Sequence, residues 1–434
     1  MRYTLLLLML LCYGTLFSQE VMTLHQLREE AEIHYPNMAK EDLLLPEFEN
    51  KRHNLHAGYY PRIHLGGRAS WQSDVPAIKV EKVDENLPFV IEDMVKIPQV
   101  RKDNYRITLD LSQVIWDGGV IRYAKEAEAA ALAVAVKQQE AEVYRLGETV
   151  NELFFRLLIL KEQEKVLGVL REELASQLQS MQAAIESGVL EAWNREAMQA
   201  EILQVEQQQE ANVHQMQGLL EAINLLTGKA YQLDTPIIRP TFDTSLSKAI
   251  VRPELSIFDA RIQQLKANEQ LLYRKRMPVV AGFGQAGYGL PGLNMFKSEF
   301  APWLVAGVTL SWKPWDWKQN RRARLNLQIK QAMLSVERET LKQKFQRAFA
   351  LQRAQSAQYE AMIIKDASII AMREKVKVAA QRGMEEGTRT STDYLTEVNR
   401  EKQAILNREI HKIALLQSNM ALLQISGKIN ELPN

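Results

Sequence analysis

The sequence predicts a mainly α-helical protein that also carries a small number of membrane β-strands. No proline occurs between Pro98 and Pro236 or between Pro314 and Pro433, which leaves stretches of 137 and 118 residues for long helices. Several short segments alternate apolar and polar residues, which is the period of a β-strand. An apolar run at the start of the chain indicates export from the cytoplasm.

Residues 1–18 are predicted to be a signal peptide. Arg2 supplies the positive end, and the apolar run from Leu5 to Leu11 is too short to span a bilayer as a helix. Ser18 is a small residue at which cleavage would occur. Cys12 is either removed with the signal or lipidated, although the large Leu11 before it does not fit a lipidation signal. No later segment has about 18 consecutive apolar residues, so we expect no transmembrane helix.

Composition excludes several classes of function. The chain has 54 Lys and Arg against 53 Asp and Glu, so its net charge of +1 lacks the basic excess that nucleic-acid binding requires. A hydrophobic content of 46% with 25% charged residues is ordinary for a folded protein. The single cysteine excludes an intramolecular disulfide framework and a zinc site built from cysteines.

Short motifs recur at one spacing, which predicts a tandem duplication. Three motifs of the first half recur 199 residues later. Leu111-Ser112 followed by Trp116-Asp117 recurs as Leu310-Ser311 followed by Trp315-Asp316. Gly188 recurs as Gly387, and Thr227-Gly228-Lys229 recurs as Ser426-Gly427-Lys428. We therefore expect a first repeat over 19–235, a linker over 236–252, a second repeat over 253–430 and a tail over 431–434.

Each repeat is predicted to contain a helix, a strand pair, a very long helix, a break at glycine and a shorter helix. The first repeat has these segments at 39–57, at 59–72 and 105–115, at 120–187, at Gly188 and at 189–228. The second has them at 254–276, at 279–288 and 303–312, at 320–386, at Gly387 and at 389–428. Apolar residues from Leu132 to Leu160 step by three, four or seven, a pattern typical of coiled coils.

The strands have one apolar and one polar face. Ile63 and Leu65 alternate with Arg62 and His64, for example. This alternation fits a membrane barrel strand and a half-buried sheet of a soluble domain equally well. The predicted export signal and the predicted long helices favour the barrel. Four strands cannot close alone, so two protomers would give eight strands or three would give twelve. The charged segment 73–103 is expected to be a solvated external loop.

The repeats, helices and strands together resemble the TolC family of outer-membrane channel proteins. The resemblance covers essentially the whole mature chain and rests on the duplication and on four short motifs: Trp-Asp-Gly-Gly at 116–119, Gly-Thr-Arg at 387–389, Leu-Thr-Gly-Lys at 226–229 and Ile-Ser-Gly-Lys at 425–428. It implies a homotrimer with a twelve-stranded barrel in outer-membrane lipid and a helical tunnel across the periplasm. It also implies a passive exit duct for efflux or secretion, opened by a periplasmic adaptor and an inner-membrane pump.

The resemblance makes the two helix breaks, Gly188 and Gly387, the periplasmic tips of the hairpins. Glycine suits such a turn because it adopts the left-handed backbone conformation without strain. In the family, charged residues beside the second tip constrict the closed entrance. Arg389 and Asp393 match positions in that network, so we expect them in the gate.

Other positions depart from the family pattern. Met384, Thr396 and Asn194 stand where the resemblance leads us to expect a tyrosine and two aspartates. Either Glu385 and Glu386 replace the missing acids in the gate, or they form a solvated helix end.

No motif predicts an enzyme, a cofactor or a metal site. Residues 282–287 match the dinucleotide-binding pattern, but the proline-containing segment that follows cannot open the required helix, so strand glycines explain them. His53 and His56 lack a third ligand nearby and are expected to be surface residues. A basic cluster begins the second long helix and suits a solvated barrel rim; it consists of Lys318, Arg321, Arg322 and Arg324.

Two other classes of exported protein compete with a channel. A periplasmic adaptor should have one helical hairpin flanked by compact β domains, whereas this chain has two hairpins in tandem. A coiled-coil scaffold would leave the alternating strands unexplained. The sequence does not select the cargo among a drug, a metal ion and a polypeptide.

Overall fold

A computed structural model describes residues 21–76, 100–188, 190–242 and 249–429. These residues form seven α-helices and one sheet of four antiparallel strands, so the predicted fold class is confirmed. The predicted signal peptide with Cys12, the middle of the predicted external loop and the tail lie outside the described residues.

The elements follow one order in both halves of the chain. The helices are α1 (Leu24–His34), α2 (Ala39–His56), α3 (Val120–Glu186), α4 (Trp193–Thr227), α5 (Pro253–Arg274), α6 (Gln319–Glu385) and α7 (Ser391–Ser426). The strands are β1 (Arg62–Trp71), β2 (Asp103–Trp116), β3 (Val279–Leu290) and β4 (Ala301–Ser311). Both α3 and α6 have 67 residues, and their first residues are 199 positions apart.

The chain divides into two compact units, and each unit takes segments from both halves of the sequence. The helical unit comprises Met1–Asp42, Val136–Phe258 and Val336–Asn434. The sheet unit comprises Leu43–Ala135 and Asp259–Ser335.

In the sheet unit the strands lie in the order β1-β2-β3-β4. The outer pairs β1–β2 and β3–β4 each join strands that are consecutive in the chain. The central pair β2–β3 joins the two halves, from Tyr105 opposite Leu290 to Trp116 opposite Val280, with one irregularity between Val114 and Trp116. β1 and β4 are therefore the edge strands of this sheet.

An aspartate lies three residues before the start of each of the two 67-residue helices. The carboxylate of Asp117 accepts backbone hydrogen bonds from Gly119 at 2.8 Å and from Ile121 at 2.6 Å. The carboxylate of Asp316 accepts one from Asn320 at 2.9 Å. Because the first amide groups of a helix lack partners within it, an acidic side chain at this position stabilises the start. The repeated Trp-Asp motif is thus the corner between strand and helix.

Two hydrophobic cores lie in the helical unit. The first surrounds α1, whose Leu24, Leu27 and Ala31 are buried against α3, α4 and α7, and it includes the edge-to-face pair Phe154 and Phe155. The second lies nearer the ends of α3 and α6; its buried members are Leu167, Leu170, Leu174, Met181, Met198, Val205, Met384, Tyr394, Leu395 and Val398. This second core supports the two hairpin turns.

Candidate functional site: the hairpin turns and the sheet faces

The two helical hairpins turn at glycines. Gly188 follows the end of α3 with φ +76°, and Gly387 follows the end of α6 with φ +70°. Both values lie in the left-handed region, where a side chain would be strained, so glycine suits both positions. A Cβ added at either glycine would meet no neighbouring atom, which leaves the backbone conformation as the reason for glycine.

The second turn closes with a capping box at the start of α7. Thr390 Oγ1 accepts a hydrogen bond from the Asp393 amide at 3.2 Å, and Asp393 Oδ2 accepts one from the Thr390 amide at 3.0 Å. The hydrogen bonds from the Thr390 side chain and backbone, aided by the charge of Arg389, lower the pKa of Asp393. This carboxylate therefore stays ionised and fixes the helix start.

A buried contact joins the two turns. Asn194, near the start of α4, accepts a hydrogen bond at Oδ1 from Ser391 Oγ at 2.6 Å, and it donates from Nδ2 to the Glu191 carbonyl at 2.9 Å. The exposed fraction is 4% for Asn194 and 0% for Ser391. The amide side chain can accept and donate at once, which a carboxylate at this position could not do.

One face of the sheet presents large apolar side chains. The other face is polar along β1 and β2 and carries Phe283, Trp303 and Val305 along β3 and β4. Directly opposed residues share a face, so the register places these apolar residues together: Ile63, Leu65, Trp71, Tyr105, Ile107, Leu109, Leu111, Tyr288, Leu304, Val308 and Leu310. All of them are exposed, and Leu304 keeps 72% of its surface. An exposed apolar sheet face of this extent is typical of a surface that contacts lipid or another protein.

Charged residues cluster on the polar face of β1 and β2. These residues are Arg62, Arg68, Arg106 and Asp110, and His64 lies among them. Asp110 is engaged within the sheet, because Thr108 Oγ1 donates to it at 3.2 Å and Gln285 Nε2 also donates to it.

Comparison with known proteins agrees with these features. The model of the outer membrane efflux protein family matches residues 27–229. The resemblance to the outer membrane efflux protein family is confirmed. No curated protein matches the sequence.

Solved structures match over nearly the whole chain. The outer membrane protein VceC of Vibrio cholerae shares 15% identity, with 93% of this chain and 96% of that chain covered and a TM-score of 0.68. CusC shares 13% identity, with 93% of this chain and 91% of CusC covered and a TM-score of 0.71. The Campylobacter jejuni CmeC outer membrane channel shares 12% identity, with 93% of this chain and 86% of that chain covered and a TM-score of 0.66. The chain therefore has the fold of outer membrane efflux channels.

The predicted gate residues of this efflux-protein fold all lie at the second turn. Glu385, Glu386, Arg389 and Asp393 are exposed there. The backbone amide of Arg389 donates to the Gly383 carbonyl at 2.9 Å, which holds the turn against the end of α6. Their role in a gate stays a prediction.

Two of the positions that depart from the family pattern are interior. Met384 is 1% exposed and belongs to the second core, and Asn194 makes the contact between the turns. Thr396 is exposed, and its hydroxyl donates to the Thr392 carbonyl one turn earlier in α7. Sequence reasoning missed Ser391, since nothing in the sequence links it to a residue 197 positions earlier.

A cluster of ion pairs joins helices α3, α6 and α7 near the hairpin turns. Lys377 of α6 lies 2.9 Å from Glu173 of α3 and 2.6 Å from Glu401 of α7, and Lys402 lies 2.5 Å from Glu173. Burial favours neutral Lys377, but the hydrogen bonds to Glu401 and Glu173 prevail and raise its pKa. Burial likewise opposes charge on Glu173, but the hydrogen bonds from Lys402 and Lys377 lower its pKa. Sequence patterns did not indicate this cluster.

The remaining motifs have structural roles. Residues 282–287 lie within β3, as the strand interpretation predicted. Lys125 Nζ lies 3.0 Å from His56 Nδ1, and no group of three metal-ligating side chains occurs among the described residues. Within the same residues no helix combines the length and apolar character needed to cross a membrane.

Proposed function

We propose that three copies of this chain form an outer-membrane channel, a passive exit duct for efflux or secretion. Its periplasmic entrance would open when a periplasmic adaptor and an inner-membrane pump dock. The observation that carries the proposal is the sheet, which has two edge strands without a partner strand in the described chain and an exposed apolar face.

An open sheet edge is incompatible with hydrocarbon, because each unpaired backbone group there costs several kcal/mol. The edges of β1 and β4 would pair if β4 of one copy lay beside β1 of the next. Two copies would give eight strands and a lumen filled by side chains, whereas three would give twelve strands and an open bore. A duct requires the open bore of the twelve-stranded arrangement, and the family resemblance also implies three copies.

Exposed apolar residues along α6 support assembly of the helical unit as well. Val336, Leu351, Ile364 and Met372 keep between 67% and 74% of their surface exposed. Large apolar side chains repeated along one helix are typical of a contact with another chain. Packing of neighbouring copies on α6 would cover them.

We place the entrance at the hairpin turns. Four exposed charged residues, Glu385, Glu386, Arg389 and Asp393, would be present in three copies there. Charges of both signs at one constriction can pair between copies in a closed state and separate in an open one. The exposed turns would also offer the surface on which adaptor helices dock.

Cell fractionation and cysteine cross-linking test this proposal. We expect the protein in the outer-membrane fraction as a heat-labile complex of roughly three times the mature chain mass. Cysteines placed on β1 and β4 should cross-link only between copies and give a ladder that ends at the trimer. The control pair is Leu109→Cys with Ala286→Cys, which lie opposite each other within one chain and should leave the mass unchanged. A soluble periplasmic monomer would contradict the channel and favour an adaptor or a scaffold.

A further inference from the structure

Two arginines lie directly opposite each other in the sheet. Arg68 of β1 is paired in register with Arg106 of β2. Both side chains are exposed, and neither has a carboxylate partner among the residues that the structure describes. Like charges at directly opposed positions destabilise a strand pair, so this pairing is costly for the fold by itself.

Within the described strands, the surrounding charges do not neutralise the pair. On the same face of β1 and β2, Arg62 lies opposite Ser112, and His64 lies opposite Asp110, which already accepts hydrogen bonds. The corresponding face of β3 and β4 carries no charged residue; its polar members are Gln285, Thr309 and Ser311. Three arginines and one aspartate therefore give this face an excess of two positive charges.

We propose that Arg68 and Arg106 form an anion-attracting ring in the bore of the duct, and that its cargo is anionic. The inference rests on the proposed function. If the exposed apolar face meets lipid, then the alternation of strand residues turns both arginines toward the lumen. Three copies would place six arginines at one level, and confinement between low-dielectric walls strengthens the field that they produce.

A ring of arginines selects permeating ions by their charge. Rings of arginine or lysine are found in pores for anions and phosphates, where they enrich the permeating ion and exclude cations. Guanidinium groups also bind carboxylates and phosphates through two parallel hydrogen bonds, which suits an organic anion. An anionic occupant would relieve the repulsion between Arg68 and Arg106.

Ion selectivity in planar bilayers tests the inference. The full-length protein is reconstituted, and reversal potentials are measured in a potassium chloride gradient. We expect a preference for chloride that falls by up to about tenfold when Arg68→Gln and Arg106→Gln are combined. The control is Arg68→Lys with Arg106→Lys, which keeps both charges and should keep the preference.

The melting temperature is a second measurement. A purely structural role of the two arginines would change it in the opposite direction from the one that we expect. The single variants Arg68→Gln and Arg106→Gln each remove the like-charge contact, so the detergent-solubilised complex should melt at the same or a higher temperature. A lower melting temperature with unchanged selectivity would show that the pair stabilises the sheet, which overturns the inference.

The possible failures are distinguishable. Absence of any pore in the bilayer would refute the proposed function itself. Pores that open normally but have the same selectivity in the parent, glutamine and lysine variants would refute only the anionic ring and leave the channel in place.

Discussion

Replacing Asn194 by alanine should loosen the contact between the two hairpin turns. The change removes the acceptor for Ser391 Oγ at 2.6 Å and the donor to the Glu191 carbonyl at 2.9 Å. Each neutral hydrogen bond contributes about 1 kcal/mol, and the buried Ser391 hydroxyl would lose its acceptor, so we expect a loss of about 2 kcal/mol. That loss corresponds to a roughly 30-fold rise in the population of the opened turn.

Amide hydrogen exchange measured by mass spectrometry reports this opening directly. Peptides that contain the two turns should exchange roughly 30-fold faster in the variant, while peptides from the first core around Phe154 should not change. A double-mutant cycle with Ser391→Ala isolates the contact, and we expect a coupling of about 1 kcal/mol between the two positions. Additive effects would refute the conclusion that these side chains hold the turns together.

Three further changes test other parts of the structure. Arg389→Ala should raise the conductance or leak of pores in a bilayer, and an unchanged recording would remove Arg389 from the gate. Lys377→Met leaves Lys402 beside both Glu173 and Glu401 but removes the other cation, so it should destabilise the helical unit by up to about 3 kcal/mol, visible as a lower melting temperature. Because the pKa of Glu173 is lowered and that of Lys377 is raised, the ion cluster should stabilise the parent between about pH 5 and pH 10. The Glu173 contribution should be lost as pH falls through its lowered pKa, and the Lys377 contribution as pH rises through its raised pKa; a melting temperature independent of pH outside this window would contradict both. Gly118→Ala should lower the melting temperature, because its φ is +68° and its Cβ would clash with Met277 Cβ. An unchanged melting temperature would show that this corner adjusts freely.

Local patterns predicted the fold class because the elements are long and regular. Alternation around Ile63 and Leu65 predicts a strand, and an absence of proline together with apolar residues at coiled-coil spacing predicts a long helix. The short helix Leu24–His34 was not predicted, although Leu24, Leu27 and Ala31 have helical spacing and Thr23 caps its start, because a periodic pattern over only 11 residues is a weak signal.

The site was less predictable because its contacts join distant parts of the chain. The carboxylate of Asp393 could be singled out by the family resemblance, but its capping role depends on the backbone of Thr390. The contact between Asn194 and Ser391 spans 197 residues, and that between Lys377 and Glu173 spans 204. Side chains so far apart in sequence meet only once the helices are packed, so no local pattern signals them.

The equal length of the two 67-residue helices restricts how this sequence can change over evolutionary time. One residue inserted into α3 alone would advance everything beyond it by about 1.5 Å and rotate it by about 100°. Asn194 would then miss Ser391, and the lysines of the ion cluster would face the wrong carboxylates. Insertions and deletions in these helices should therefore be tolerated only as matched pairs, one in each half, so related proteins should differ in helix length by the same amount in both.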